Sequence, residues 1–344
     1  MKAMHTSRTA CSEKPNKRAA WLFPLLLLGL VLAFCLSLLV GSAQISVLDS
    51  VRAWLRGDLS DPGCRILFYV RLPRALAAVL SGAALAVSGV VIQNVLNNAL
   101  AAPNIIGVNA GAGFAVLLVI ALFPSVSGLI PASAFLGALF ASLLIYAIAA
   151  RTGASRVTIT LAGVAISSVF TACSNAVKTF FPDTIYNANA FFVGGFAGVS
   201  YRNLSPAWAV ILLGLLLALL LSGDMDVLAL GDETAQSLGL AVRPVRFILL
   251  VTASLLAGGA VSFSGLLGFV GLIVPHILRR FTGARHRVLV PLAALGGAIF
   301  VLLCDTLSRT LFAPYEIPVG IVLSLLGGPF FLFLLLTRKG GCIE

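Results

Sequence analysis

Charge is what this sequence has least of. Only 10% of its 344 residues are charged, and 12 of them are Asp or Glu. A soluble domain carries about 25% charged residues, so this chain lacks the means to solvate a globular surface of its own size. Histidine is scarcer still, at three residues. Proton-coupled carriers and membrane hydrolases need a pair or chain of buried acids and histidines, and no convergent acid, base, nucleophile or metal cluster can be traced here. No catalytic residue and no metal ligand is assigned. There are five lysines, Lys2, Lys14, Lys17, Lys178 and Lys339, and none closes a G-x-x-x-x-G-K-[ST] loop. The chain therefore binds no ATP through such a loop, and no cofactor is expected on it. The six cysteines contain no C-x-x-C pair. Cys35, Cys173 and Cys304 fall in apolar runs, where a thiol packs as a small hydrophobe, and no disulfide is assigned.

Apolar residues stand where charge is missing. They make up 60% of the chain, and the mean hydropathy is +1.07, which marks an integral, polytopic membrane protein of all-α class. Ten apolar spans are expected, at 21–40, 74–96, 106–123, 132–150, 157–180, 206–222, 245–262, 265–280, 288–308 and 317–337. Each approaches the about 20 residues that cross about 30 Å of hydrocarbon. A shorter helix is possible near Ala188 to Phe196. The first span follows Lys14, Lys17 and Arg18 and is followed by Gly41-Ser42-Ala43, which could pass for a cleavage site. Signal-peptide cores run about 7–15 residues, so the longer run is read as a retained helix.

Ten spans put both termini on one side. The basic residues of the N-terminal tail, Arg151 and Arg156, the group Arg279, Arg280, Arg285 and Arg287, and Arg338 with Lys339 all fall on that side. By the positive-inside rule it is the cytoplasm. The net charge of +11 thus orients the chain in a bilayer, and nucleic acid is not needed to explain it. The expected division is a basic tail at 1–20, one transmembrane domain at 21–337 and a short tail at 338–344.

Small residues cluster inside the spans, as at Ser81-Gly82, Ser88-Gly89, Gly258-Gly259, Gly271 and Gly296-Gly297. In lipid they let helix backbones approach closely, and plain packing explains most of them. Asp305 and Arg309 lie four apart on one helix and can pair. His276 follows Pro275, which removes a helix hydrogen bond; a structural role outweighs a ligand role there. Between two spans, a polar loop at about 223–244 contains Leu228 to Leu240. In it Asp232 can cap a short helix whose first turn, with Glu233, favours acids. Leu230, Ala235 and Leu238 would leave a small apolar face, and Gly239 would end the helix. Such a helix is either a simple surface element or a docking element in want of a partner.

Several blocks fall in a specific order from about residue 65 to 337. They are Arg71-Leu72-Pro73-Arg74; Gly82 to Gln93; Ile106 to Ala112; Leu161 to Ala165; Gly268 to Arg280; Asp305, Arg309, Pro314, Glu316, Pro318 and Gly320; and Gly328-Pro329-Phe330-Phe331. This order resembles the FecCD-type permeases of ABC importers for iron-siderophore, haem and cobalamin complexes, a type II importer architecture. Two departures stand out. The usual N-P-L-A-x-P reads Asn98-Ala99-Leu100-Ala101-Ala102-Pro103, and a customary tryptophan is replaced by a phenylalanine near Phe192.

The resemblance implies a second permease chain, identical or homologous, with the pathway at the shared interface. It implies two ATPase subunits carrying ATP and Mg, an extracytoplasmic binding protein, and a bacterial inner membrane. Leu230, Gly231, Asp232, Glu233, Ala235, Leu238 and Gly239 would receive the ATPase stroke. Glu316 would meet the binding protein, and Arg71, Arg74, Asn98, Pro103, Pro275, His276, Asp305, Arg309 and Pro318 would be structural or gating. The implied cargo is an iron chelate, with cobalamin as the alternative cargo of the same architecture; an ATP-independent secondary carrier is the rival reading from another class.

Overall fold

The protein, studied as a computed structural model, is described over residues 17–41, 43, 45–58, 60–151, 155–283 and 285–337. The sequences at 1–16 and 338–344, with most of the expected basic tails, lie outside the described residues. Among the described residues every regular element is helical. The chain forms α1 (Lys17–Leu39), α2 (Val47–Leu55), α3 (Pro62–Val95), α4 (Val108–Leu122), α5 (Ile130–Arg151), α6 (Arg156–Phe180) and α7 (Asp183–Val193). These are followed by α8 (Tyr201–Leu220), α9 (Ser222–Leu228), α10 (Asp232–Ser237), α11 (Val242–Ser264), α12 (Val270–Thr282), α13 (His286–Thr310) and α14 (Val319–Thr337). Each of the ten expected spans contains a helix, nine of them over most of the expected range, and α7 is the short helix expected near Ala188.

Seven helices, α1, α3, α5, α6, α8, α11 and α13, are long and apolar enough to cross a membrane, and α4 and α14 are shorter apolar helices. The span expected at 265–280 is corrected. Gly265 to Phe269 is not helical, and α12 has 13 residues, about 20 Å of rise, which is too short for the hydrocarbon layer. Non-helical backbone at membrane depth survives only where protein satisfies it, and here it does. Leu266 N–H donates to Phe191 O (2.9 Å), Gly195 N–H to Ser264 O (2.8 Å) and Gly320 N–H to Gly194 O (3.1 Å). The end of α7, the break before α12 and the start of α14 thus form one hydrogen-bonded junction. Gly265 is held at φ +68, and an added Cβ would strike Phe191 O. Pro275 lies inside α12, which continues past it to Thr282.

The core sits around α3 and α11, whose most apolar stretches are 83% and 78% buried, against 11% for α1 and 17% for α6. The last two therefore face lipid or another chain. α3 and α13 run antiparallel in a constant register. Arg74 meets Asp305, Gly82 lies so close to Gly297 that a Cβ on either would hit the other's carbonyl, and Asn94 meets His286. Close glycine contact of this kind replaces the hydrophobic drive that lipid removes. Gly89 packs on Gly271 of α12 in the same way.

Candidate coupling site and charge network

The loop expected at 223–244 folds as two short helices, α9 and α10, ahead of α11. Gly231, at φ +104, turns the chain into α10. Leu240 N–H then donates to Ala235 O and Gly239 N–H to Gln236 O, both at 2.9 Å. This is a Schellman ending, and Gly239 takes the left-handed position it requires (φ +87). Glu233 and Asp232 occupy the first turn, where the helix dipole favours acids.

Two expectations are corrected here. Asp232 makes no cap hydrogen bond; its carboxylate instead takes Arg156 (2.9 Å) at the start of α6 and Arg246 (2.8 Å) in the first turns of α11. An arginine fork satisfies a carboxylate better than a backbone N–H can, since both partners are charged. Ala235 is fully buried rather than part of an outward face. Leu230 and Leu238 are exposed, at 59% and 64%, so the unpartnered apolar surface consists of two leucines flanking an anchored helix.

A second anchor holds α9. Asp226 accepts from the backbone N–H of His286 at 2.8 Å, capping α13, and lies 2.7 Å from His286 Nδ1. Asn94, in the last turn of α3, donates to Met225 O at 2.8 Å. The α9–α10 segment is thereby fixed to the adjacent ends of α3, α6, α11 and α13.

At the opposite end of α13, Asp305 is fully buried between two guanidiniums, Arg74 at 3.0 Å and Arg309 at 3.2 Å. The Asp305–Arg309 pair read from spacing is present, with Arg74 as a third member. Arg74 also takes Glu316 at 2.6 Å. Glu316, expected to face a binding protein, thus has a partner within its own chain, and its side chain remains one-third exposed. Arg309 donates to Ser37 Oγ (2.8 Å), and Arg71 to the carbonyls of Leu38 and Leu39. The last carbonyls of α1, unsatisfied within the helix, are closed by cations as the dipole prefers. Arg71 ends a π-helical stretch, Ile66–Arg71.

The remaining expected residues are dispersed. His276 packs edge-on to Phe330 of α14 (6.0 Å). Asn98 accepts from Leu100 N–H (3.0 Å) and shapes the loop before buried Pro103, which opens a 3-10 turn. Pro318 directly precedes α14.

On α6 the exposed residues Ser168, Thr171, Asn175 and Thr179 form a polar stripe at helical spacing. The hydroxyls bond back to carbonyls four residues earlier, but among the described residues no group bonds the Asn175 amide. A free amide at membrane depth is costly in lipid. Thr160, Ser167, Thr171 and Asn175 line a groove with Asn104.

Taken together, these features define a membrane-embedded helical permease with an anchored short helix bearing two exposed leucines at one end and a charge-locked opposite end. Comparison with known proteins agrees. The pattern of the FecCD transport family matches residues 29–337, and the chain belongs to that family. It is 39% identical to the hemin transport system permease protein HmuU of Yersinia pestis, over 92% of this chain and 97% of that one. It is 37% identical to the Fe(3+)-citrate import system permease protein YfmE of Bacillus subtilis (94% and 97% covered). It is 36% identical to the vitamin B12 import system permease protein BtuC of Vibrio cholerae (92% and 94%). A solved inward-facing conformation of a metal-chelate type ABC transporter superposes with a TM-score of 0.81 at 32% identity, covering 92% of this chain and 99% of that one.

Proposed function

We propose that this chain is the permease subunit of an inner-membrane ABC importer for an iron chelate, a ferric siderophore or haem. The observation that carries the reading is α10, a helix clamped through Asp232 to the starts of α6 and α11 that presents Leu230 and Leu238 exposed among the described residues. Two such chains enclose the pathway, with the polar stripe of α6 turned inward. Separate ATPase chains carrying ATP and Mg receive the two leucines. Closing the ATPase pair moves α10, and with it α6 and α11, so that access alternates between the two faces. A binding protein delivers the chelate at the face that bears Glu316, and both termini lie in the cytoplasm. The haem and ferric-citrate relatives support the iron cargo; the cobalamin relative supports the same architecture with a different load.

The test is uptake of labelled ferric siderophores, haem and cobalamin by cells deleted for this chain. Loss of a ferric-chelate signal, rescued by the intact chain, is the expected result. Loss of cobalamin alone moves the assignment to the second cargo, and unchanged uptake of all three overturns the reading.

A further inference from the structure

A second cavity lies away from the coupling site, the charge network and the polar stripe. α5 and α8 both pack on α11 but hardly touch each other. They leave a cleft of about 960 Å³ between them, at the upper end of the about 300–1,000 Å³ typical of ligand pockets. Phe135 and Leu136 of α5 and Pro206 and Val210 of α8 form its walls, and Gly259 and Ser262 of α11 its floor. Gly259 lets Ile211 and Val210 of α8 approach α11 closely at the floor, and the Ser262 hydroxyl is turned onto its own helix, donating to Gly259 O.

The mouth is polar. Ser200, Arg202 and Asn203 stand there, at the start of α8 and at the end of the bundle remote from α10. Arg202 is exposed, and among the described residues no carboxylate pairs with it. From Arg202 to Val210 the helix rises about 12 Å, close to the depth of one leaflet of an about 30 Å hydrocarbon layer. The cleft is thus apolar over one leaflet's depth, open sideways where α5 and α8 are poorly covered, and cationic only at its headgroup end.

We propose that this cleft is a site for an anionic phospholipid of the leaflet remote from α10, with one acyl chain between α5 and α8 and the phosphodiester on Arg202. Solvent is a poor occupant for apolar walls at this depth, and a soluble anion would leave those walls uncovered. A phospholipid that seats one of its acyl chains there and its negative head on Arg202 matches both ends of the cleft. Its bound tail would wedge α5 and α8 apart on the surface of α11.

The experiment uses the full chain purified from its membrane, stripped in mild detergent and re-exposed to phosphatidylglycerol or phosphatidylcholine of identical acyl chains. Retained lipid is counted by native mass spectrometry. One retained phosphatidylglycerol per chain is expected, favoured roughly fivefold over phosphatidylcholine, the effect of one arginine near a headgroup. Arg202→Gln should abolish the preference while keeping the tail. Val210→Trp, which fills the cleft, should lose the retained lipid. Arg56→Gln, an exposed arginine elsewhere, should behave as the unaltered chain. Each variant is included only with an unchanged elution profile and thermal midpoint, and Leu136→Trp from the opposite wall replaces Val210→Trp if that variant misfolds. Equal retention in all variants, no headgroup preference, or full displacement by soluble glycerol 3-phosphate each overturns the proposal.

Discussion

Asp305 shows what a single fully buried carboxylate can hold. Two arginines converge on it from α3 and α13, and Arg74 passes the contact on to Glu316. Removing one member of a buried ion network leaves an uncompensated charge and costs about 3–5 kcal/mol. Asp305→Asn should therefore lower the thermal midpoint in detergent and the amount of assembled permease, read by fluorescence-detected size exclusion. Charge exchange gives a sharper test. If Asp305 served Arg309 alone, the double variant Asp305→Arg with Arg309→Asp would restore the pair. Because Arg74 shares Asp305, the exchange should fail, and recovery of assembly by the swap would show that Arg74 is dispensable. The spacing of Asp305 and Arg309 was legible because both lie on one helix. Arg74 and Glu316 were visible only as separate family positions, because a contact across 231 or 242 residues of chain leaves no periodicity behind.

The elements were easier to read than their edges. Uninterrupted apolar runs located every helix that crosses the bundle, since hydrocarbon demands closed backbone hydrogen bonding over a fixed length. The same argument misjudged 265–280. Hydropathy does not distinguish a helix from an apolar loop whose N–H groups are satisfied by Phe191 of another segment and Val261 of the preceding helix. α10 was found from its bounding glycines and acidic first turn, but its inward side was not. Ala235 is as apolar as a leucine in pattern, and only its burial beneath the clamp assigns it to the interior. The outward leucines carry the prediction at this scale. Leu238→Asp should leave insertion and ATPase binding intact while uptake falls to background, measured as ATP hydrolysis against transport in proteoliposomes. Uptake that survives with the ATPase bound would show that α10 does not transmit the stroke. Asp226, His286 and Asn94, the second anchor, were missed because their positions come together only once α3 and α13 have paired.

For the whole molecule, the unevenness of burial is informative. α6 is largely uncovered yet carries a polar stripe, which suits a surface turned toward a second copy around water rather than toward lipid. In a cysteine-free background, Thr171→Cys should cross-link two chains through a short bismaleimide and should react with aqueous maleimide. Ile148→Cys on the exposed apolar face of α5 should do neither. Reaction at both positions, or at neither, would remove α6 from the pathway.

The constant register between α3 and α13 has a mechanical corollary. Those two helices are fastened at one end by Arg74 and Asp305, at mid-length by Gly82 against Gly297, and at the other end by Asn94 beside His286. Three fastenings over some 30 Å leave the pair almost no freedom to slide or splay, so it acts as a girder. On the proposed coupling role of α10, a displacement that begins there would be taken up outside the girder, at the junction of Phe191, Gly265 and Gly320 and in the lightly covered helices around it.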